Sequence, residues 1–350
     1  MSTSSLRTLA ELPFSDPTQI FRFRDRQFAA ELIAVAVLEM RLFDYIKMQG
    51  SVSLADVCGH YGFAQRPVDV MMTLCRASGF LTLQEDDRNV LATIAHEYWT
   101  TDSPWYLGAY YEPYRNSEAY DGFLKVLRSG KPANWGAKRD GDDWHEAMQQ
   151  AAFAKTFTEI MNCRGKVLGQ YLAEKTVSLL SSKKSLLDVG GGSGIYAVTL
   201  LARNPQMVGC VLEKNPVDAI AAENIKNFGL DDRLKVLSAD MFESDWPECD
   251  VVLLSNVLHD WGMPEVEKLL RKGVQSLPPG GVLLIHEAFL SDRKDGPPPV
   301  AEYSAMLMHI TQGRCYAPFE YGQVLKELGC EVFPYQDTVA DRGYLAAIKR

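Results

Sequence analysis

At 350 residues the chain exceeds the usual size of a single domain, so two domains are expected. A hydrophobic content of 47% and a charged content of 23% are those of a soluble globular protein, and the best apolar run near the start, Leu32–Leu38, is far too short to span a bilayer. The formal charge of −9 argues against nucleic acid or an anionic membrane as the main partner.

In chain order, residues 1–16 are polar and expected to be loose. From Pro17 to about Met48 apolar residues recur at helical spacing (Ile20, Phe23, Phe28, Leu32, Val35, Leu38, Leu42), which predicts one or two helices. Ser53-Leu54-Ala55-Asp56 reads as a capping-box start, and the short helix it opens should stop at Gly59 or Gly62. Arg66-Pro67 opens another helix through Ala77, with Gly79 as its stop. Phe80–Leu83 and Val90–Ala92, joined by a polar turn, read as a hairpin, so the succession has a winged-helix pattern. A DNA-binding use is disfavoured, because the helix from Arg66 is dominated by Val68, Val70, Met71, Met72 and Leu74 and has too few cations to neutralise several phosphates. Packing or dimerisation is the preferred reading.

Residues 93–142 are predicted helical with aromatic breaks, and Gly130–Asp143 reads as a loop. A long helical stretch from Trp144 to about Glu174 leads to a domain junction near residue 176. Beyond it strands and helices alternate: strands at Leu186–Val189, Val208–Glu213, Leu234–Ala239, Asp250–Ser255 and Val282–His286, then two helices and two final strands near Glu331–Phe333 and Tyr344–Lys349. This is a doubly wound α/β sheet whose ligands should lie at the carboxyl ends of its strands. Seven cysteines include no C-x-x-C pair and are odd in number, and Met1–Glu11 lacks a signal-peptide pattern, so free thiols in a reducing cytoplasm are expected.

The chemistry gathers around Leu186-Leu187-Asp188-Val189-Gly190-Gly191-Gly192-Ser193-Gly194-Ile195. An apolar strand ends in an acid, and a glycine turn follows that allows positive φ and close backbone approach to a ligand. Ser193 is placed to cap the next helix, whose N-terminal N–H groups favour an electron-rich group. The dinucleotide fingerprint G-x-G-x-x-G fits Gly190 and Gly192, but Ile195 fills the third position and Asp188 would oppose a pyrophosphate. A nicotinamide dehydrogenase is therefore disfavoured, and a cationic or zwitterionic ligand fits better. The stretch resembles motif I of class I S-adenosylmethionine-dependent methyltransferases, whose turn holds the methionine part of the cofactor. Two further acids fall at strand ends: Glu213, suited to ribose hydroxyls, and Asp240, followed by Met241 and Phe242, suited to the adenine amino group.

The fourth strand runs into Ser255-Asn256-Val257-Leu258-His259-Asp260-Trp261. A histidine at a strand's carboxyl end, followed by an acid able to orient its ring, suits removal of an acceptor's proton during methyl transfer. On Asp188–Gly194, Asp240-Met241-Phe242, Leu258–Trp261, Pro279-Gly280-Gly281 and Glu287, the chain resembles the small-molecule O-methyltransferase family of plant caffeate and isoflavone enzymes, hydroxyindole O-methyltransferase and bacterial tailoring enzymes.

That resemblance implies a Rossmann-like seven-stranded doubly wound sheet with an N-terminal, mostly helical winged-helix dimerisation domain. It divides the chain into 1–100 (winged-helix domain), 101–175 (helical linker contributing to the substrate pocket) and 176–350 (catalytic domain). S-adenosylmethionine would be held by Asp188, Gly190, Gly192, Gly194, Glu213, Asp240, Met241, Phe242 and Ser255. His259 would be the general base, with Asp260 and Glu287 beside it. Phe157, Met161, Arg164, Met306, His309 and Cys315 would line the acceptor pocket. The partners implied are a small-molecule acceptor and a second copy of the chain.

Where the plant enzymes carry Gly-Gly-Lys-Glu-Arg-Thr, this chain has Gln312-Gly313-Arg314-Cys315-Tyr316-Ala317, so Cys315 replaces a carboxylate that flanks the catalytic histidine. His309 opens an alternative: with His259 and Asp260 it would hold a divalent metal that chelates a 2-oxo acid and directs methylation to carbon, Arg164 or Arg115 anchoring the carboxylate. A non-catalytic cofactor-binding regulator is the alternative of another class.

Overall fold

The computed structural model describes Leu9, residues 11–133 and residues 147–350. The expected loose segment 1–16 falls partly, and the expected loop 130–143 mostly, outside the described residues, as does the expected helix start at Trp144. The chain forms two compact units that do not follow chain order. One draws on Met1–Gln19, His145–Ala288 and Pro318–Arg350; the other on Ile20–Trp144 and Phe289–Ala317. Residues 289–317, placed with the catalytic half on sequence alone, thus pack with the helical unit.

In the helical unit, Leu54–Tyr61 begins with the expected capping box: Ser53 Oγ accepts the Asp56 N–H while the Asp56 carboxylate accepts the Ser53 N–H, and Gly62 closes the helix. The helix Gln65–Ala77 leads to the hairpin of β1 (Leu81–Leu83) and β2 (Asn89–Leu91). Its apolar residues Val68, Met71, Met72 and Leu74 are buried. Its cations are consumed internally. The Arg66 guanidinium donates to the carbonyls of Gly130, Met308, Thr311 and Gly313, and Arg76 donates to Asn89, Thr73 and the Lys294 carbonyl. Burial pulls the Arg66 pKa down to about 10.

The other unit is built on a mixed sheet of β3 (Ser185–Val189), β4 (Val208–Glu213), β5 (Leu234–Ser238), β6 (Val251–Ser255), β7 (Val282–Glu287), β8 (Cys330–Val332), β9 (Gln336–Asp337) and β10 (Gly343–Lys349). The order is β5-β4-β3-β6-β7-β10-β8, with β9 pairing β10. The seven expected strands are present, and the two-residue β9 is an addition at the edge of β10. β3 to β7 run parallel, and β10 lies antiparallel to β7. β6 and β7 are buried along their whole length, which is why they read as unbroken apolar runs with both faces covered by other elements. From β3 the chain moves outward through β4 and β5, then returns to β6 on the other side of β3. The crevice outside the carboxyl ends of β3 and β6 is therefore the switch point where open α/β sheets place ligands.

Candidate functional site

The turn after β3 adopts the conformation its glycines were read for: Gly190, Gly192 and Gly194 have φ of 62°, 57° and 73°. These left-handed values favour glycine over any residue with a Cβ. A Cβ on Gly190 would press on Val257 Cγ2 at 3.2 Å, so the turn and the loop after β6 lie against each other. Gly194 is the N-cap of the helix Ile195–Arg203 and no side chain caps it. Ser193, expected as the cap, instead donates its hydroxyl to Asn162 Oδ1 at 2.9 Å. The helix Val217–Asn227 has Pro216 at its N-cap and no side-chain cap.

Asp188 is fully buried at the end of β3. Its Oδ2 accepts the Ala197 N–H at 3.3 Å, and Oδ1 has no hydrogen-bond partner. Burial pushes its carboxyl up to about 7, against the pull of the Ala197 N–H. Asn256, just past β6, has a left-handed φ of 55°. Its amide donates to Tyr196 Oη and Ser255 Oγ, while its Oδ1 is buried without a donor. Two orphaned acceptor oxygens beside one glycine turn are costly by themselves and fit a ligand that brings N–H donors.

Further along the same edge, Glu213 accepts the Gly192 N–H at 3.0 Å and the Lys214 N–H at 2.9 Å. Burial raises its carboxyl pKa, with those two N–H groups opposing. At Asp240 burial also works against ionisation, but the Phe242 N–H and the Lys214 ammonium outweigh it and hold the carboxyl below the usual carboxylate range. Asp240 and Phe242 border an open pocket of about 490 Å³. In its wall the Phe242 and Trp261 rings meet edge-on with centroids 4.6 Å apart. An aromatic wall beside a carboxylate suits a flat heterocycle with an amino group. The Ser255 hydroxyl pairs with His286 Nδ1 at 2.9 Å and lies buried.

The loop after β6 carries His259, which is 4% exposed. Parallel register sets Ser255 of β6 beside His286 of β7, so Glu287 comes level with the start of the loop. Its Oε1 accepts the N–H groups of Val257 and Leu258 at 3.1 and 3.0 Å, and its Oε2 binds His259 Nδ1. The ring is thus gripped by Glu287. Asp260, expected to orient it, stands on the opposite side with Oδ1 3.7 Å from Nε2. Burial pushes the Asp260 carboxyl up to about 6; the charges of His259 and Arg164 oppose that rise, and Glu287 adds to it.

The remaining expected residues divide between the units. Phe157, Met161 and Arg164 lie on the long helix Ala151–Leu180, and Phe157 stacks with Phe153. Met306, His309 and Cys315 belong to the helical unit. There His309 sits between Phe28 and Phe123, each ring 4.9 Å away, and neither of its nitrogens has a hydrogen-bond partner. Cys315 is fully buried, and its N–H donates to Ser304. Arg115 is held by Glu39 and Glu112. Among the described residues no group of three His, Cys, Asp or Glu side chains is placed to hold a metal.

Burial drives the pKa of His309 down to about 4. A base whose pKa is depressed on folding stabilises the fold fully above its unfolded value of about 6.5, and that contribution is lost as pH falls from there toward 4. In thermal melts, His309→Leu should therefore gain on the native protein as pH drops from 7 to 5. The gain should approach ~1.4 kcal/mol per pH unit once His309 is charged in the unfolded chain. A constant difference across that range would contradict this reading of His309.

Sequence reasoning missed Asn162, Asn224, Asn256 and Tyr196. The one signal for the first was the spacing Asn162-x-x-Gly165-x-x-x-Gly169, which puts an amide and two small residues on one helical face.

Comparison with known proteins decides the family. An O-methyltransferase domain model matches residues 126–331. The chain belongs to the O-methyltransferase family. It is 30% identical over 299 residues to the 3-hydroxy-5-methyl-1-naphthoate 3-O-methyltransferase of Streptomyces sahachiroi, covering 84% of each chain. It is also 30% identical over 270 residues to the L-tyrosine C(3)-methyltransferase of Streptomyces lavendulae, covering 75% of this chain and 72% of that one. The O-methyltransferase family 2 protein from Planctomyces limnophilus, solved with apigenin, superposes with a TM-score of 0.86 at 28% identity over 98% of each chain. Solved relatives hold S-adenosylmethionine or S-adenosylhomocysteine. This O-methyltransferase is an S-adenosylmethionine-dependent enzyme acting on small molecules.

Proposed function

We propose that this O-methyltransferase methylates a hydroxyl oxygen of a small, partly apolar acceptor, with His259 as general base. The observation that carries the reading is the clamp by Glu287. One carboxylate oxygen fixes the loop through two N–H groups, and the other accepts Nδ1–H, which sets the tautomer in which Nε2 is the basic nitrogen. The carboxylate also stabilises the imidazolium that results.

The cofactor seat is assigned to the glycine turn, with Asp188 and Asn256 as acceptors for the ammonium of the aminoacyl tail. Glu213 faces the ribose, and Asp240, Met241, Phe242 and Trp261 surround the base. When bound, S-adenosylmethionine supplies an electrophilic methyl group. The chain's own task is to align acceptor oxygen and donor, to exclude water and to remove the proton. Phe157 and Met161 of the long helix are assigned to the acceptor pocket. Oxygen is favoured over carbon because the matching domain model is that of O-methyltransferases and the Streptomyces sahachiroi relative is a 3-O-methyltransferase. The hydroxy-naphthoate of the Streptomyces relative is the first acceptor class to try.

The helix-helix-hairpin unit is assigned as a winged-helix dimerisation domain. Ile20 and Phe23 on the helix Thr18–Asp25 are 75% and 67% exposed, apolar surface that a second copy would cover. Sedimentation should show a dimer. The function itself is tested by titrating S-adenosylhomocysteine calorimetrically and by following a labelled methyl from the donor onto a panel of hydroxylated aromatics and 2-oxo acids. Binding followed by label on oxygen is the expected result; label on carbon would overturn the assignment to oxygen.

A further inference from the structure

The glycine turn is held from outside as well as from within. Asn162 Oδ1, on the long helix, accepts the Ser193 hydroxyl at 2.9 Å. Asn224, on the helix Val217–Asn227, donates its amide to the Ser193 carbonyl at 2.8 Å and to Asn162 Oδ1 at 3.4 Å. Two asparagines from two helices thus close on the one non-glycine residue of the turn.

The long helix is brought to that point by its own small residues. Asn162, Gly165 and Gly169 share one face. A Cβ on Gly165 would collide with Ile195 Cγ2 and meet Tyr196 Cε2 at 3.2 Å, and one on Gly169 would lie 2.5 Å from Thr199 Oγ1. The glycines therefore let the long helix lie directly on the helix Ile195–Arg203, whose N-terminus is the turn. Met161, the immediate neighbour of Asn162, and Phe157 are the helix residues assigned to the acceptor pocket.

We propose that Asn162 is a positioning residue for the cofactor. By accepting from Ser193 and Asn224 it pre-orders the glycine turn and ties that turn to the helix that carries Phe157 and Met161. The proposal rests on the reading of the turn as the cofactor seat. A turn with three positive-φ glycines has more freedom to lose on binding than any other sequence, and bonds that restrict it beforehand lower the cost of binding. The effect should therefore appear in cofactor affinity and leave the chemical step almost untouched.

The test titrates S-adenosylhomocysteine into the full chain and its variants by calorimetry, with melts of the unliganded proteins alongside. Asn162→Ala should weaken binding about 5- to 10-fold, the effect of losing one or two neutral hydrogen bonds. Its turnover at saturating donor should stay within about twofold, so that KM for the donor moves and kcat does not. Asn162→Asp retains an acceptor oxygen at the same place and should restore binding to within about twofold. Ser193→Ala should weaken binding like Asn162→Ala, and the double variant should be little worse than either single one, since all three remove the same bond. In hydrogen exchange, the ligand should protect amides around 157–165 in the native protein and protect them less in Asn162→Ala. Native-like affinity in Asn162→Ala, or an Asp variant as weak as the Ala variant, overturns the proposal while leaving the cofactor seat in place. Failure of the native chain to bind S-adenosylhomocysteine at all overturns the seat, and the proposal with it.

Discussion

His259→Ala is expected to cut turnover by about 10²–10⁴-fold and to leave S-adenosylhomocysteine binding at its native strength. The separation follows from how the residue is held. The loop after β6 is anchored by the Val257 and Leu258 N–H groups on Glu287, bonds that do not involve the imidazole. The glycine turn, Glu213 and Asp240 are likewise bonded without it. Removing the ring therefore removes a proton acceptor and little else from the donor's surroundings. What remains is alignment of the two substrates, which accounts for the residual rate. Calorimetry and single-turnover methyl transfer on the same preparation make the check. Undiminished turnover would remove His259 from its role as base, and lost binding would show that the ring holds up the cofactor seat.

The parts of this architecture that a sequence can show are those fixed by local chemistry. β6 and β7 were legible because strands covered on both faces must be apolar throughout, and the glycine turn because only glycine tolerates three left-handed positions so close together. The misreadings share a different cause. A serine before a helix looks like a cap, yet Gly194 in the left-handed conformation takes the cap position and Ser193 turns to Asn162, 31 residues away in sequence. Asp260 looked like the partner of His259 because it is adjacent in the chain. The partner on Nδ1, Glu287, is adjacent in the sheet, where parallel register brings β7 alongside β6. Its place beside His259 was legible through family resemblance alone. Residues 289–317 have the helical periodicity of either half, and nothing local states which core they join; they join the helical unit. Arg66 and Arg76 were counted as too few to bind nucleic acid, and the structure adds that both are spent on internal carbonyls and amides.

Glu287→Gln should fold, bind S-adenosylhomocysteine and be nearly inactive, with turnover down by about 10³–10⁴-fold at neutral pH, on the scale seen when an analogous carboxylate-to-amide change traps a catalytic histidine in the wrong tautomer. Glutamine is isosteric with glutamate, and its carbonyl oxygen can keep the Val257 and Leu258 N–H groups. That choice turns its NH₂ toward His259 Nδ1, which must then accept a hydrogen bond instead of donating one. The neutral ring is forced to carry its proton on Nε2, the nitrogen that has to receive the acceptor's proton, and the carboxylate that would stabilise the imidazolium is gone. Glu287→Ala should behave differently. It leaves two buried N–H groups and Nδ1–H without a partner, at about 1–3 kcal/mol for each unsatisfied group, so lost stability adds to lost activity. Melting curves separate the two variants: a Gln variant with a near-native midpoint and almost no turnover shows that Glu287 sets the tautomer of His259. If the Gln variant retains most of its activity, the carboxylate serves only to hold the loop, and the proton must leave the acceptor by another route.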